Sequence, residues 1–214
     1  MKLTTLPASR YVGVNRFDPI RFYDIPVLGR LYKRRVELCL SLCRGGERVL
    51  EVGFGSGVSF FNLAAMYGEV HGLDLTADTA AVAAMFAREG TELSLRNGDV
   101  LDMPYPDETF DTVLLISILE HLKPEALAAA FTEIRRVLKP GGQAVYGVPM
   151  DSLPMRLAFR ALGFHIGEHH FSTARDVRLA AERLLKPVTV TDMHSPLRFL
   201  GPVYQTGHFT REAS

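Results

Sequence analysis

The stretch VLEVGFGSG (residues 49–57) joins an apolar strand to a turn that contains three glycines. Gly53, Gly55 and Gly57 let the backbone turn sharply and approach a bound nucleotide closely. Glu51, however, places a carboxylate at the mouth of the turn, where it would repel a phosphate. Val58 also stands where the dinucleotide fingerprint G-x-G-x-x-G requires its third glycine. The stretch therefore predicts a nucleotide-type site that does not suit a pyrophosphate.

Short apolar strands alternate with amphipathic helical stretches from residue 48 onward. Strands are predicted at residues 48–52, 70–74, 93–97, 112–116, 143–148, 188–193 and 203–209. Helices are predicted at residues 58–67, 76–89, 124–138 and 173–185. This order predicts an α/β fold with a doubly wound, mostly parallel seven-stranded sheet, in which the last strand pair is partly antiparallel.

Three segments flank the predicted core, residues 46–148, within a single domain. Residues 1–45 are expected to form an N-terminal helical cap, with Lys33–Arg35 on the side opposite its apolar face. Residues 149–171 predict a helical insertion after the fifth strand, as a lid or acceptor wall. Residues 172–214 supply the closing helix and strand pair.

Three carboxylates fall at or just after the ends of the first three predicted strands, namely Glu51, Asp74 and Asp99. In a doubly wound sheet, ligands bind beyond the carboxyl ends of the strands, so these acids should meet at one site. An acid after the second strand is suited to accept both hydroxyls of a ribose. The set as a whole favours a nucleoside that carries positive charge, and S-adenosylmethionine is such a molecule. Taken singly, Asp74 or Asp99 is equally explained as a helix N-cap.

Four blocks of sequence carry a resemblance to a known family. They are VLEVGFGSG (49–57), VHGLDLT (70–76), NGDVLDMPYPDETFDTVLLISILEHL (97–122) and VLKPGGQ (137–143). In this order and spacing they resemble class I S-adenosylmethionine-dependent methyltransferases of the small-molecule type, related to quinone-biosynthesis enzymes. The resemblance implies a Rossmann-like methyltransferase fold, S-adenosylmethionine as cofactor, and a small-molecule acceptor.

The resemblance also implies roles for individual residues. Glu51 orients the ammonium group of the methionine moiety, and Asp74 takes the ribose hydroxyls. Asp99 accepts from the adenine amino group. The other implied cofactor-binding residues are Gly53, Phe54, Gly55 and Gly57 in the turn, Leu75 and Val100 at the adenine, and Ile116 and Ser117 after the fourth strand.

Two histidines are candidates for a proton-transfer role, His121 in a Glu-His pair and His169 in HHFS (169–172). Tyr23 is a weaker candidate. Ser172 of the same HHFS stretch is expected to cap the following helix. His165, His169 and His170 lie close together in the sequence, but their spacing matches no zinc signature, so no metal site is predicted.

The acceptor is expected to be largely apolar, lipid- or quinone-like, with an anionic group. This expectation depends on Arg156 and Arg160, which are four residues apart in an apolar stretch of the insertion. An ordinary amphipathic helix with two solvated arginines explains the same pattern. Contact with a membrane surface is a further possibility, which the basic stretch Lys33–Arg35 would favour.

Composition excludes some classes of protein. The chain has 24 Lys and Arg against 24 Asp and Glu, a balance that argues against a nucleic-acid partner. The sequence predicts no leader and no membrane span. Cys39 and Cys43 are interpreted as buried thiols of a protein in a reducing compartment. Together these features favour a cytoplasmic location. A non-catalytic S-adenosylmethionine-binding module is the rival interpretation. A NAD-dependent oxidoreductase is a more distant one, opposed by Glu51 and Val58.

Overall fold

The computed structural model describes residues 1–12, 18–150, 170–194 and 201–213. These residues form a seven-stranded sheet with helices against it. The strands are β1 (Gly46–Val52), β2 (Tyr67–Asp74), β3 (Ser94–Asn97), β4 (Phe110–Ile116), β5 (Leu138–Pro149), β6 (Lys186–His194) and β7 (Pro202–Thr210). The α-helices are α1 (Pro26–Leu42), α2 (Phe60–Ala64), α3 (Thr79–Arg88), α4 (Pro124–Val137) and α5 (Ala174–Glu182). Short 3-10 turns lie at Ala8–Arg10, Pro19–Phe22 and Leu119–His121.

The strand order is β3-β2-β1-β4-β5-β7-β6, in which β1 pairs in parallel with both β2 and β4. Strand β7 is antiparallel to both β5 and β6, as the sequence predicted for the closing pair. Chain order reverses beside β1, because β2 and β3 lie on one side of it and β4 and β5 on the other. Such a reversal opens a crevice at the carboxyl ends of the central strands.

Each face of the sheet is covered by its own apolar cluster. Neighbouring residues of β1 point to opposite faces, so Val49 packs with α1–α3 whereas Leu50 packs with α4 and α5. Cys39 of α1 and Cys43, the C-cap residue of α1, are buried free thiols in the cluster that contains Val49. Both faces of the central strands are therefore shielded from solvent, which explains their nearly continuous apolar sequence.

Two helices are shorter than predicted. The sequence predicted a helix through Tyr67, but α2 ends at Ala64 and Tyr67 already belongs to β2, where it pairs with Gly46. The Tyr67 hydroxyl donates to Oγ1 of Thr112 at 2.8 Å, a contact that fixes this residue under the sheet. The helix predicted from residue 76 begins at Thr79, because Asp78 caps it by accepting from the Ala81 N–H.

The cap of α5 also differs from the prediction. Thr173, not Ser172, is the N-cap, in a reciprocal capping box with Asp176. The Ser172 hydroxyl instead donates to the carbonyl oxygen of Leu122 at 2.6 Å. Ser172 thus ties the start of α5 to the segment after β4. The insertion predicted at residues 149–171 falls, except for its first two residues and the last two, outside the described residues.

Replacing Thr173 with Ala should lower the free energy of unfolding by about 1 kcal/mol, because the capping box loses its hydroxyl partner. Thr132→Ala is the matched control, since Thr132 is exposed in the middle of α4 and bonds only to the Ala128 carbonyl. Urea unfolding of both variants measures the difference. Equal stability of the two variants would contradict the capping role of Thr173.

Candidate functional site

A cavity of about 440 Å³ opens at the carboxyl ends of β1, β2 and β4. Its wall includes most of the residues that the sequence singled out: Glu51, Gly53, Phe54, Gly55, Asp74, Leu75, Asp99, Val100, Ile116, Ser117 and His121. Parallel pairing aligns the strand ends, with Val52 of β1 opposite Leu73 of β2 and Leu115 of β4. Residues far apart in the chain therefore meet at one edge of the sheet.

The glycine turn follows β1 with a left-handed backbone at Gly53 and Gly55 (φ 70° and 53°). A Cβ at Gly53 would lie 2.0 Å from Cδ1 of Ile118, so no side chain fits at this position. A Cβ at Gly55 would lie 2.8 Å from a carboxylate oxygen of Asp18. Gly57 lies outside the cavity wall. Its backbone is also left-handed (φ 75°), and a Cβ there would lie 2.4 Å from Cδ2 of Phe60, so both conformation and packing require glycine.

Glu51 is a buried carboxyl group in the wall of this cavity, 3% exposed. Burial raises the pKa of Glu51 from 4.5 to about 8, against the opposing effect of the Ser59 hydroxyl, which donates to Oε2. A cation in the cavity would offset this cost of burial and hold Glu51 ionised. An ammonium group fits this position, and a phosphate does not.

Asp74, at the end of β2, organises two loops at once. Its Oδ2 accepts from the Gly55 N–H at 3.0 Å, and its Oδ1 accepts from the N–H groups of Thr76 and Ala77, each at 2.9 Å. Since Asp78 is the cap of α3, Asp74 is not needed as the helix cap. Each carboxylate oxygen can accept more than one hydrogen bond, which leaves room for ribose hydroxyls.

The wall around Asp99 has the features of a pocket for a flat ring. Asp99 is exposed and accepts from the Leu101 N–H at 2.9 Å, and Val100 beside it is buried. Leu75, which also lines the cavity, is 67% exposed although it is a large apolar side chain. An exposed leucine at the edge of a cavity offers an apolar surface for an aromatic ring.

Ser117 ends β4 in a strained conformation, with a positive φ of 58°. Its N–H donates to the Gly147 carbonyl at 2.7 Å, and its hydroxyl is 3.0 Å from the buried hydroxyl of Tyr204. Such strain in a non-glycine residue is typical of binding sites. The contact also ties β4 to β7.

Of the two candidate proton acceptors, the structure describes His121 but not His169. His121 is exposed in the 3-10 turn Leu119–His121 and contributes to the cavity wall. His169 lies outside the described residues, as do His165, Arg156 and Arg160. Tyr23 also contributes to the wall, but burial raises the pKa of its phenol far above the usual value, so its hydroxyl stays protonated.

Two charged residues of the cavity wall were not predicted. Asp18 is the N-cap of the turn Pro19–Phe22, and its Oδ2 accepts from the Ser56 N–H at 2.7 Å, which attaches the N-terminal segment to the glycine turn. The Asp-Pro pair is a capping signal that the sequence does contain. Arg35 was expected on the outer face of α1, yet it lines the cavity.

The Arg35 guanidinium lies 4.1 Å from the ring centre of Tyr32 and 5.0 Å from that of Tyr204. Among the described residues it forms no salt bridge, so aromatic faces hold this cation. The cavity therefore presents a cation as well as the carboxyl groups of Glu51 and Asp74. This pairing suits the zwitterionic end of an amino acid.

Comparison with known proteins agrees with this geometry. The protein-family profile described as "Methyltransferase domain" matches residues 49–142. The chain is 32% identical to demethylmenaquinone methyltransferase of Bacillus licheniformis over 122 residues. This alignment covers 56% of this chain and 51% of that protein. The chain is 37% identical over 107 residues to sterol 24-C-methyltransferase ERG6B of Gibberella zeae, which covers 48% of this chain and 27% of that protein.

The fold is shared with N-methyltransferase NodS of Bradyrhizobium japonicum, solved with S-adenosyl-L-homocysteine, at a TM-score of 0.69 and 19% identity. That match covers 96% of this chain and 97% of NodS. Residues 49–142 thus match the methyltransferase-domain family, and the similar proteins include enzymes named as quinone methyltransferases. The predicted fold is confirmed, and the match of residues 49–142 agrees with the predicted family. The chain spans about half the length, or less, of the curated relatives named here.

Replacing Glu51 with Gln should remove a pH dependence from the stability of the ligand-free protein. The folded pKa of about 8 lies above the ordinary 4.5, so between these values the folded state keeps a proton that the unfolded state releases. Stability should therefore fall as the pH rises from about 4.5 to about 8, by roughly 1.4 kcal/mol per unit, and level off above that. In Glu51→Gln this decline should be absent.

Urea unfolding at several pH values in this range measures the effect, and the difference between the two proteins isolates Glu51 from the other titrating groups. The glutamine keeps an oxygen that can accept from Ser59. Parallel pH profiles for the two proteins would show that Glu51 is not protonated in the folded state.

Proposed function

We propose that this protein transfers the methyl group of S-adenosylmethionine to a small-molecule acceptor. The observation that carries the proposal is the buried carboxyl of Glu51 in one cavity with the glycine turn, Asp74 and the cation of Arg35. A cavity of about 440 Å³ is in the range of pockets that bind ligands of this size. The acidic lining favours a cationic nucleoside over a dinucleotide.

The two ends of the cofactor are assigned to different parts of the wall. Glu51 takes the ammonium of the methionine moiety, and Arg35 takes its carboxylate. Asp74 accepts from the ribose hydroxyls, while Leu75 and Val100 enclose the adenine between apolar surfaces. The adenine amino group donates to Asp99. The acidic, basic and apolar character of these parts of the wall supports the roles. The zwitterionic end of the cofactor carries both charges, so its recognition needs an acid and a base together.

The remaining wall is available to the acceptor. S-adenosylmethionine supplies an activated methyl group, whose bond electrons return to sulfur when the acceptor's nucleophilic atom takes the carbon. The chain then has to align the nucleophile and exclude water. His121, which lines the cavity, would receive a proton from the acceptor. Buried Tyr23 stays neutral and is a hydrogen-bond donor to the acceptor.

We further propose an acceptor that is partly apolar, of lipid- or quinone-like character. Ile118, Leu122 and Pro19 give the cavity an apolar portion beside His121. Several similar proteins are named for acceptors of this kind, including demethylmenaquinone, phytyl-naphthoquinone and sterol methyltransferases. None of the helices in the described ranges is long and apolar enough to cross a membrane. Such an acceptor would therefore reach the cavity from solution or from a membrane surface.

A non-catalytic module that binds S-adenosylmethionine is the second candidate. It would use Glu51, Asp74 and Arg35 in the same way, but it would need no acceptor wall and no histidine at the mouth. The apolar portion with His121 favours the enzyme.

Two ligands separate the roles of the cavity residues. S-adenosylhomocysteine has the amino-acid end, and 5′-methylthioadenosine lacks it. Asp74→Ala should weaken binding of both ligands by about 1–3 kcal/mol, the scale for charge-assisted hydrogen bonds. Arg35→Gln should weaken only S-adenosylhomocysteine, by a similar amount. Isothermal titration calorimetry measures all four affinities, and NAD should give no binding to the unaltered protein.

Asp78→Ala is the matched control for Asp74→Ala. Both substitutions remove an aspartate that accepts from backbone N–H groups near the start of α3, but only Asp74 lines the cavity. Asp78→Ala should therefore bind both ligands as the unaltered protein does. If Arg35→Gln lost affinity for 5′-methylthioadenosine as well, its role would be structural and the assignment of the carboxylate would be wrong.

Methyl transfer itself is tested with methyl-labelled S-adenosylmethionine and a cell extract that has been divided into lipid and aqueous fractions. Label should appear in a small molecule of the lipid fraction, since the proposed acceptor is partly apolar. The Glu51→Gln protein is the control for non-enzymatic transfer. Tight binding of S-adenosylhomocysteine without label transfer to either fraction would favour the binding module.

A further inference from the structure

A second group of side chains meets at the edge of the cavity, where Glu120, His121 and His170 come together. Each offers one ligand atom, and these three atoms lie within 4.8 Å of one another. Glu120 and His121 belong to the turn after β4, and His170 precedes α5. About fifty residues of chain separate the two segments, and the fold brings them together. In the sequence, His170 is grouped only with its neighbouring histidines.

The backbone holds the two segments in register. The carbonyl oxygen of Glu120 accepts from the N–H of Phe171 at 2.8 Å and from that of Ser172 at 3.2 Å. The Ser172 hydroxyl adds its bond to the Leu122 carbonyl at 2.6 Å. Three hydrogen bonds thus attach Phe171 and Ser172 to the turn that carries Glu120 and His121. His170 directly precedes these residues, so its backbone position is fixed as well.

The side chains have the burial expected of a metal site at a cavity edge. Glu120 is 2% exposed, His170 is half-buried and His121 is exposed. The two imidazole rings are 5.4 Å apart between centres, at 65° to each other. His121 also lines the cavity, so an ion held here would face the acceptor portion. The buried carboxyl of Glu120 fixes the position of one ligand.

From this geometry we propose that Glu120, His121 and His170 bind a divalent transition-metal ion, with Zn²⁺ the ion that best suits the ligands. Two imidazole nitrogens and one carboxylate are a borderline ligand set that favours Zn²⁺, Co²⁺ or Mn²⁺ over Mg²⁺ or Ca²⁺. Three protein ligands leave a coordination position open. Tetrahedral ligands about 2.1 Å from one ion lie about 3.4 Å apart, so ligand atoms as much as 4.8 Å apart have to close by up to about 1.4 Å on binding.

The role of the ion rests on the proposed function. An oxygen of the acceptor would occupy the open position, next to the cavity that holds the cofactor. The positive ion lowers the pKa of a coordinated hydroxyl, so that the oxygen is deprotonated and nucleophilic near neutral pH. In the metal-bound protein His121 is then a ligand, and the acceptor's proton is released to solvent.

Metal binding is tested on the full-length protein after removal of metals with a chelator. Titration with Co²⁺ should give the visible absorption of a low-coordinate cobalt site, and Zn²⁺ should displace it at one equivalent. His170→Ala should lower the affinity for Co²⁺ at least about tenfold, because one of three protein ligands is lost. His194→Ala is the matched control and should bind Co²⁺ unchanged, since His194 is an exposed histidine on β6.

Binding of S-adenosylhomocysteine is measured on the same samples and should be unchanged in His170→Ala, since His170 is not part of the cavity wall. This separates the metal site from the cofactor site. Failure of cofactor binding in the unaltered protein would overturn the proposed function but not the metal site. No cobalt spectrum, or equal affinities in His170→Ala and His194→Ala, would overturn the metal site and leave the three residues as a hydrogen-bonded cluster.

Discussion

The buried carboxyl of Glu51 is the constraint around which this cavity is organised. It lies in a central strand with both neighbours paired in parallel, so its burial follows from the sheet and cannot be relieved by a side-chain rotation into water. Burial raises its pKa to about 8, which means that the ionised form is stabilised only when a cation enters. The ligand that completes the site must therefore bring positive charge to the end of β1.

The glycine turn and Asp74 depend on the same geometry. Gly53 turns the chain under Ile118, and the N–H of Gly55 is held by Asp74 from the neighbouring strand. Asp18 attaches the N-terminal segment to the turn from the other side, through the N–H of Ser56. Acids from three separate segments thus surround one turn. The acidic side chains around the turn repel a phosphate and favour a ligand that carries positive charge.

The rest of the cavity wall is assembled differently. Its residues come from the N-terminal segment, α1 and the turn after β4, and each is held by contacts with another element. Arg35 lies against two aromatic rings, and Ser117 is tied to Tyr204 in a strained backbone conformation. Because the wall is built from these flanking parts, a common cofactor core can serve different acceptors when the flanks differ.

The sequence by itself determined the alternation of strands and helices in the core, the glycine turn and the acids at the strand ends. These features are local: strand periodicity and residues next to strand ends are visible in the chain, and parallel pairing brings such ends together in any doubly wound sheet. Only the tertiary structure decided that Arg35 faces the cavity, that Asp18 holds the glycine turn and that His170 meets Glu120 and His121. These contacts depend on how helix α1 is rotated about its axis and on where distant segments pack. Helical periodicity specifies an apolar face, but it does not specify which polar residue at the border of that face turns inward.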